Sequence, residues 1–500
     1  GVYTYEKSFL APEEWKNQDV VLEFEGIYGT ARVWINGALA TVNRNGYMGF
    51  SVDLKPWICY GQENLIKIDV DNSNQPNSRW YTGSGIYRDV NLWTGKGVYI
   101  PHDEMKITTL SVNDDVAVVE VCANVKNTKE CGIEAKCYVE LIFEGKTVVT
   151  EKQNIVFYSG RKETVRVQIP VKCPKKWSTD HPNLYQCCVK TYIGDEICDE
   201  YTVDFGIRTL TLDPVNGFQI NGETVNLRGT CIHHDNGVLG ACCYPDAEAR
   251  KIRILKENGY NAIRSAHNPC SKALLEACDR QGMLVMDEFV DVWYIHKTEY
   301  DYVNYFKEWW KQDLKDMVEK DFNHPSVILY SIGNEVSETA QKKGIHLTKT
   351  MTEYLHRLDD SRPVSCGINI FFNFLSSIGF GVYSDKKAKK EAEQAEKTKG
   401  KKKKKAVGSQ FFNDLAGLMG SGFMKTGATF YGCDVKTRGT FANMDIAGYN
   451  YGIKRYQHDL KKYPERLILG SETFCDDAYT FWEMAKKNPR IVGDFVWAGM

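Results

Sequence analysis

The chain has 500 residues, 43% hydrophobic and 26% charged, which are ordinary proportions for a globular protein of two to four domains. Its 63 basic and 65 acidic residues nearly cancel, which argues against a protein that attracts nucleic acid or a membrane surface by charge. No stretch approaches the ~18 consecutive apolar residues of a membrane span.

Residues 1–97 show short runs of alternating apolar and polar residues separated by turn residues, which indicates antiparallel β-structure. Asn36-Gly37 and Asn45-Gly46 each separate two strand-like stretches. Asn-Gly between two such stretches is the strongest short signal of a β-hairpin. We therefore predict a β-sandwich with a hairpin at each of these two pairs.

A second all-β region is predicted for residues 98–208. Its strands include VAVVEVCANV and AKCYVELIFEG. A region of roughly 100 residues built from short strands is typical of an immunoglobulin-like sandwich.

The pattern changes in residues 209–500, where short apolar strands alternate with amphipathic helical segments, as in repeated βα units. The predicted strands are NLRGTCIHH, NAIRSAH, LVMDE, SVILYSIGNE, PVSCGIN, IAGYNY, RLILGSE and VGDFVWAG. Eight such strands predict a TIM barrel, whose active site lies at the carboxyl ends of the strands.

The connection between the fifth and sixth strands contains a lysine-rich insertion at about residues 384–408, with five consecutive lysines at 401–405. Its composition predicts a solvated loop. The alternative is a surface that binds a polyanion or a partner subunit. The amphipathic segment FFNDLAGLMG, residues 411–420, could pack against a neighbour.

Polar residues stand at the carboxyl ends of seven of the eight predicted strands. In strand order they are His233 and His234, then Arg264, His267 and Asn268, then Asp287 and Glu288, then Asn334 and Glu335, then Asn450 and Tyr451, then Glu472, and finally Trp497. Because parallel barrel strands all end at one face, these residues predict a polar pocket there.

Glu335 and Glu472 follow or interrupt apolar strands that lie nearly across the barrel from each other. A buried carboxylate is costly unless it is paired or hydrogen-bonded, so two of them at one mouth indicate chemistry. Paired carboxylates are what glycoside hydrolysis requires. No serine nucleophile elbow, phosphate-binding loop or H-E-x-x-H motif offers a different chemistry.

The neighbouring residues suit the same reaction. Arg264 would favour the ionised nucleophile, and Tyr451 would donate a hydrogen bond to it. Asn334 would bind a sugar hydroxyl, and Trp497 would present an apolar face to a sugar ring.

The polar residues after the first and second strands have more than one possible role. His233, His234 and Asp235 could suggest a metal site, but without a third spaced ligand we expect sugar hydrogen bonding, with one histidine structural. His267 is placed in the pocket.

The roles of two further residue pairs are also open. Asp287-Glu288 is expected to brace the barrel through Arg or His partners. Arg79 and Trp80 either reach the barrel from the first domain or only pack an interface.

These motifs also resemble a known family. The segments that carry the resemblance are SRWYTGSGIYRDVNLW, GTCIHHDNGVLGA, NAIRSAHNP, LVMDEFVDVW, YSIGNEVSE, GYNY, GSET and FVWAGM. In this order, over nearly the whole chain, they are similar to the motifs of glycoside hydrolase family 2, which includes β-galactosidases and β-glucuronidases.

The resemblance implies a multidomain fold with an N-terminal jelly-roll β-sandwich, an immunoglobulin-like β-sandwich and a C-terminal (β/α)8 TIM barrel. It implies Glu335 as the acid/base and Glu472 as the nucleophile of a retaining enzyme, with carboxyl groups about 5–5.5 Å apart. His233, Arg264, His267, Asn334, Tyr451 and Trp497 are then the substrate-binding set.

The chain departs from the family pattern because it starts inside the first domain and stops just after the eighth strand. The lysine-rich insertion and IYRDVNLWTG look similar to clostridial gut β-glucuronidases. We therefore expect hydrolysis of terminal β-D-glucuronides, with β-galactosides as the alternative. The family's glucuronate-binding Asn-x-Lys pair would lie beyond Met500.

Two rival hypotheses belong to other classes. One is a non-catalytic carbohydrate-binding protein built on an inactive barrel, and the other is a scaffold that acts through its lysine-rich loop. The reaction needs no cofactor and no metal site is predicted. The expected partners are a small glycoside or an oligosaccharide and a second copy of the chain, as a homo-oligomer, with neither nucleic acid nor membrane.

The sixteen cysteines are scattered through apolar patterns, and no C-x-x-C motif is present. Free cysteine behaves as a small buried hydrophobic residue, and scattered cysteines in a large chain favour a reducing compartment. We therefore expect reduced thiols and a cytoplasmic location.

Overall fold

The computed structural model describes residues 1–129, 131–158, 162–397 and 422–499. The lysines at 401–405 and the segment 411–420, for which the sequence suggested a surface and a packing role, lie outside these ranges.

The first region folds into a β-sandwich because its strands alternate in burial, as in β4, where Ala31, Val33 and Ile35 are buried and the residues between them are not. Its strands are β1 (Val2–Ala11), β2 (Gln18–Phe24), β3 (Ile27–Tyr28), β4 (Thr30–Ile35), β5 (Ala38–Asn43), β6 (Phe50–Asp53), β7 (Gln62–Asp71), β8 (Gly85–Ile86) and β9 (Val90–Lys96), with a 3-10 helix at Glu13–Asn17. The two main sheets have the orders β1-β7-β4-β5 and β6-β2-β9.

One of the two predicted hairpins is confirmed. Asn36 and Gly37 join the paired strands β4 and β5, and both adopt the left-handed φ that a two-residue hairpin turn needs, 50° and 83°. The prediction at Asn45-Gly46 is wrong, because β5 and β6 belong to different sheets. Asn45 is instead buried, and its Nδ2 donates to Asp313 Oδ2 of the barrel at 2.8 Å.

The second region is a separate sandwich with its own core. Along β12, every second residue from Ala117 to Val125 is buried against the opposite sheet. Its strands are β10 (Val98–Tyr99), β11 (Met105–Val112), β12 (Val116–Asn127), β13 (Ile133–Phe143), β14 (Lys146–Phe157), β15 (Lys162–Lys172), β16 (Tyr185–Ile193) and β17 (Glu196–Phe205). One sheet contains β10, β12, β11 and β15, and the other has the order β14-β13-β16-β17.

A small sheet leads into the barrel, which is closed and parallel and follows chain order from β21 to β28. The strands are β18 (Leu210–Asp213), β19 (Gly217–Ile220), β20 (Glu223–Thr224), β21 (Leu227–Ile232), β22 (Ala262–Ser265), β23 (Leu284–Glu288), β24 (Val327–Asn334), β25 (Val364–Asn369), β26 (Ala447–Asn450), β27 (Ile468–Phe474) and β28 (Ile491–Trp497). All eight residues of β24 are buried, as expected for a strand covered on both faces. The predicted TIM barrel is confirmed.

Helices cover the outside of the barrel. They are α1 (Pro245–Glu257), α2 (Lys272–Gln281), α3 (Val303–Asp321), α4 (Lys342–Leu358), α5 (Ile370–Ser377), α6 (Asp385–Lys397), α7 (Gly422–Gly427), α8 (Tyr431–Phe441), α9 (Tyr456–Lys462) and α10 (Ala478–Ala485), with 3-10 helices at Gly237–Leu239, Ser337–Ala340, Ile453–Arg455 and Cys475–Asp477. Among the described residues, no helix combines the length and the apolar character needed to cross a membrane. All sixteen cysteines carry free thiols.

Candidate active site

Glu335 leaves the end of β24 with an unusual backbone conformation. Its φ is 42°, and Tyr451, just after β26, has a φ of 56°. Such left-handed conformations are unfavourable for residues other than glycine and concentrate at functional sites. The Glu335 side chain is half-buried, and its Oε1 accepts a hydrogen bond from Asn369 Nδ2 at 2.9 Å. Asn369 ends β25, so a neighbouring strand holds this carboxylate.

Glu472 lies on β27 and is only 6% exposed. It accepts hydrogen bonds from Arg264 Nη1 at 3.1 Å, from Asn450 Nδ2 at 3.4 Å and from the Tyr451 hydroxyl. Burial and the charge of Glu335 raise the pKa of Glu472 to about 7, although Arg264 and Tyr451 oppose the increase. The charge of Glu335 therefore acts on the Glu472 carboxylate.

Arg264 is fully buried and connects the nucleophile candidate to a second carboxylate. Its Nε and Nη2 donate to Glu288 at 2.8 to 3.0 Å, and Ser331 Oγ also donates to Glu288, at 2.6 Å. Burial raises the pKa of Glu288 to about 7 against the effects of Arg264 and Ser331. These contacts agree with the bracing role predicted for Glu288.

His267 and Asn334 are hydrogen-bonded to residues that contact Glu472 or brace Arg264. His267 Nε2 accepts from Asn334 Nδ2 at 3.2 Å, so its Nδ1 carries the proton and donates to Glu288 Oε1 at 2.6 Å. Asn334 Oδ1 accepts from Arg264 Nη2 at 2.8 Å and from Asn450 Nδ2 at 3.0 Å. Both side chains are buried, and burial keeps the pKa of His267 far below its usual range.

An aromatic group lies beside this network and includes a residue of the first sandwich. The Trp80 ring stacks on His233 at 5.6 Å, and the Trp497 ring stacks on His267 at 5.5 Å. His233 Nδ1 donates to the Ala266 carbonyl at 2.6 Å, so its Nε2 keeps a lone pair that can accept from a sugar hydroxyl.

The adjacent histidine differs from His233. His234 Nε2 donates to the carbonyl of Thr82 at 3.0 Å. Burial lowers the pKa of His234 to about 4. His234 therefore holds the first sandwich against the barrel, which is the structural role expected for one of the two histidines.

Arg79 reaches the barrel, which answers the question left by the sequence. Its Nε and Nη2 donate to the two oxygens of Asp291 at 3.0 and 2.7 Å. Lys297 Nζ donates to Asp291 Oδ1 and to the carbonyl oxygen of Asn334, both at 2.7 Å. Although burial opposes ionisation, Arg79 and Lys297 hold the pKa of Asp291 well below its usual range.

Sequence reasoning named Arg79 but missed its partners Asp291 and Lys297, and it also missed Asn369. Asp291 stands three residues after Glu288 in LVMDEFVDVW, and Asn369 is the last residue of its strand. Polar residues at or just after a strand end were the signal that could have found both. Lys297 carries no comparable signal, because it follows no strand end and a single lysine in a loop is common.

A cavity of about 530 Å³ lies between the first sandwich and the loop after β23. It is lined by Trp80, Asp291 and Lys297 among others, but by neither Glu335 nor Glu472. Because His267 and Arg79 also line it, the cavity adjoins the network around the catalytic candidates.

One group of three metal-ligating side chains occurs in the described part of the chain, formed by Glu23, His102 and Asp103. The ammonium group of Lys272 lies between the two carboxylates, 3.0 Å from Glu23 Oε1 and 2.9 Å from Asp103 Oδ2. The acidic partners raise the pKa of His102 to about 9 against the effect of burial. Two cationic groups, His102 and Lys272, thus fill this junction of the two sandwiches with the barrel.

Three family models match the chain in succession. The sugar binding domain of glycosyl hydrolases family 2 matches residues 1–96, a second domain of glycosyl hydrolases family 2 matches residues 98–208, and the TIM barrel domain of that family matches residues 214–432. Together they cover most of the chain.

Individual proteins give the same result. The chain is 36% identical over 401 residues to the β-galactosidase BoGH2A of Bacteroides ovatus, covering 74% of this chain and 47% of the relative. It is 34% identical over 337 residues to a putative β-glucuronidase of Formosa agariphila, covering 67% of this chain and 32% of the relative.

Solved structures support the fold over the whole chain. A glycosyl hydrolase family 2 member from Bacteroides cellulosilyticus superposes with a TM-score of 0.85 at 33% identity, covering 100% of this chain and 56% of that one. The chain spans about half the length of the relatives that it matches, or less.

Proposed function

The chain belongs to glycoside hydrolase family 2, and from this premise we propose that it is the catalytic part of a retaining, exo-acting β-glycosidase. One observation carries the proposal. Two carboxylates, Glu335 directly after β24 and Glu472 on β27, lie at the same end of the parallel barrel and have different hydrogen-bond partners. Glycoside hydrolysis needs such a pair with separate roles.

Glu472 is the proposed nucleophile. Arg264 and Tyr451 both donate to its oxygens, and hydrogen bonds to an ionised carboxylate stabilise that form. Its carboxylate attacks the anomeric carbon as the bond to the leaving oxygen breaks. Glu335 acts as the general acid and donates a proton to that oxygen.

The second step reverses these roles. Glu335, now ionised, takes a proton from water, and the water oxygen attacks the anomeric carbon of the glycosyl-enzyme. The bond to Glu472 breaks, and the sugar leaves with its original configuration. His233 Nε2 accepts from a sugar hydroxyl, and Trp497 packs against the ring. The carboxylates supply the chemistry, so this cycle includes no cofactor.

The substrate sugar has two candidates. The sequence motifs favour terminal β-D-glucuronides. A different observation favours β-galactosides: Arg264, Arg79 and Lys297, the described cations hydrogen-bonded around the site, are each already paired with a carboxylate. A glucuronate carboxylate would therefore need a cation from elsewhere in the protein. The relatives named above include one of each kind.

A panel of 4-nitrophenyl β-glycosides on the full-length protein tests the proposal. We expect hydrolysis of the glucuronide or the galactoside, with the β-anomer as the first product in a proton NMR time course. If the α-anomer forms first, the retaining mechanism is wrong. Binding without hydrolysis of any β-glycoside would favour the non-catalytic carbohydrate-binding hypothesis.

The scaffold hypothesis and the remaining expectations need separate measurements. Deleting residues 386–405 should leave turnover unchanged in an enzyme, whereas a scaffold would lose its function. Light scattering coupled to gel filtration tests the proposed homo-oligomer, and cell fractionation tests the proposed cytoplasmic location.

A further inference from the structure

Tyr383 is a buried tyrosine that follows α5 in the connection after the fifth barrel strand, and it is 5% exposed. Arg79 Nη1 lies 3.2 Å from its hydroxyl oxygen. A guanidinium group has no acceptor, so this oxygen accepts and the hydroxyl hydrogen remains to be donated elsewhere. No acceptor for that hydrogen is found among the described residues. A buried donor without a partner is unfavourable and calls for one.

Two cations fix the ring of Tyr383. The Arg79 guanidinium carbon lies 5.5 Å from the ring centroid, and Lys297 Nζ lies 5.0 Å from it. Lys297 Nζ is also 2.7 Å from the carbonyl oxygen of Asn334, the residue before Glu335. Tyr383 therefore stands on the acid/base side of the site, next to the backbone that carries Glu335.

The other donors on this side are already used. Lys297 directs its ammonium group at Asp291, at the Asn334 carbonyl and at the Tyr383 ring. Arg79 directs two nitrogens at Asp291. Burial, together with the charges of the nearby carboxylates, raises the pKa of Tyr383 against the effect of Arg79. Its hydroxyl is thus a neutral donor throughout the working pH range.

We propose that the Tyr383 hydroxyl donates a hydrogen bond to the substrate on the leaving-group side of the anomeric carbon, and that Arg79 of the first sandwich positions it. This inference rests on the proposed β-glycosidase function. Proton transfer stays with Glu335. Tyr383 stabilises the negative charge that develops on the departing oxygen, which is where a fixed donor is most effective.

Tyr383→Phe tests the proposal because it removes one hydroxyl and keeps the ring. With a phenyl β-glycoside, whose leaving group needs assistance, we expect kcat/KM to fall about 10- to 100-fold. With a 2,4-dinitrophenyl β-glycoside, whose leaving group needs little assistance, the loss should shrink to less than about threefold. Tyr479→Phe, at a tyrosine that is 75% exposed, is the matched control and should behave as wild type with both.

Arg79→Lys tests the positioning role. A lysine keeps the charge but loses the planar guanidinium fork, in which two nitrogens bind Asp291 while a third reaches the Tyr383 hydroxyl. We expect the same dependence on the leaving group, with a smaller loss. The double variant with Tyr383→Phe should be no worse than Tyr383→Phe alone, because Arg79 acts on the substrate through that hydroxyl. Melting temperatures establish that each variant is folded.

The outcomes separate the two proposals. If wild type hydrolyses β-glycosides but Tyr383→Phe loses nothing, or loses the same factor with both leaving groups, the role of Tyr383 is wrong. Independent, multiplicative losses in the double variant would overturn the role of Arg79. A wild-type protein that is inert on every β-glycoside would overturn the proposed function itself.

Discussion

The surroundings of the two carboxylates differ in where their residues come from. Glu472 is held by Arg264, Asn450 and Tyr451, which lie on or directly after barrel strands. The surroundings of Glu335 also include Arg79 of the first sandwich, and Lys297 and Tyr383 from long barrel connections. One half of the site belongs to the barrel alone, and the other depends on a junction between domains.

The difference has a physical reason. A nucleophile must be aimed at one carbon within a few tenths of an ångström, and closed barrel strands give that rigidity. The acid/base must face leaving groups that vary from substrate to substrate. Residues from loops and from a second domain can change there without disturbing the strands. The half around Glu472, the proposed nucleophile, should therefore be the more sensitive to substitution. The half around Glu335, the proposed acid/base, should decide the dependence on the leaving group.

Glu472→Ala should have the largest effect. Without the nucleophile, we expect kcat to fall on the order of 10⁴-fold or more, while binding of the sugar is retained. Added azide should partly restore turnover by occupying the space of the missing carboxylate and should yield the α-glycosyl azide. Chromatography of the products checks this result. Glu465→Ala, at an exposed glutamate, is the control, and an active Glu472→Ala variant would mean that the nucleophile lies elsewhere.

Tyr451→Phe should have the next largest effect, with kcat/KM about 10- to 100-fold lower. The Tyr451 hydroxyl lowers the pKa of Glu472, which burial and Glu335 otherwise raise to about 7. Removing it should raise that pKa further. Because the nucleophile must be ionised, the acidic limb of the kcat/KM profile should move to higher pH. The pKa read from this limb belongs to the two coupled carboxylates together.

The pH profiles of wild type, Tyr451→Phe and Tyr383→Phe sharpen the comparison between the two halves. Tyr383→Phe should leave the acidic limb nearly in place, because that hydroxyl is not bonded to Glu472. If both variants shift the limb equally, the two halves are not separable in the way proposed.

The barrel half of the site was predictable from the sequence, and the junction half was not. The barrel strands carry buried apolar runs, so Glu472 at the end of RLILGSE is conspicuous. Arg79, Lys297 and Tyr383 are separated by 218 and 86 positions and meet only through tertiary packing. The hairpin predicted at Asn45-Gly46 was wrong for the same reason, because Asn45 contacts the barrel instead of forming a local turn. Local patterns identify strands and their ends, but not which loops converge on them.

His102→Gln should have the smallest effect and tests a second junction. His102, in the second region, lies 3.3 Å from Glu23 of the first sandwich, which Lys272 of the barrel also binds. His102 touches none of the residues around the two carboxylates. The folded protein raises the pKa of His102 from its ordinary value of 6.5 to about 9. Its charge therefore stabilises the fold fully below pH 6.5, and this contribution disappears as the pH rises through 9.

Allowing for the partial exposure of His102, we expect its charge to add about 1–2 kcal/mol to the free energy of unfolding at pH 6. Urea unfolding midpoints at pH 6 and pH 9.5 should fall more in wild type than in the variant, while kcat/KM at pH 6 stays within about twofold. If the urea midpoint falls equally in wild type and variant between pH 6 and pH 9.5, His102 does not hold its proton at the junction as inferred. A large loss of activity in the variant would show that the surroundings of Glu335 depend on the whole interface rather than on Arg79.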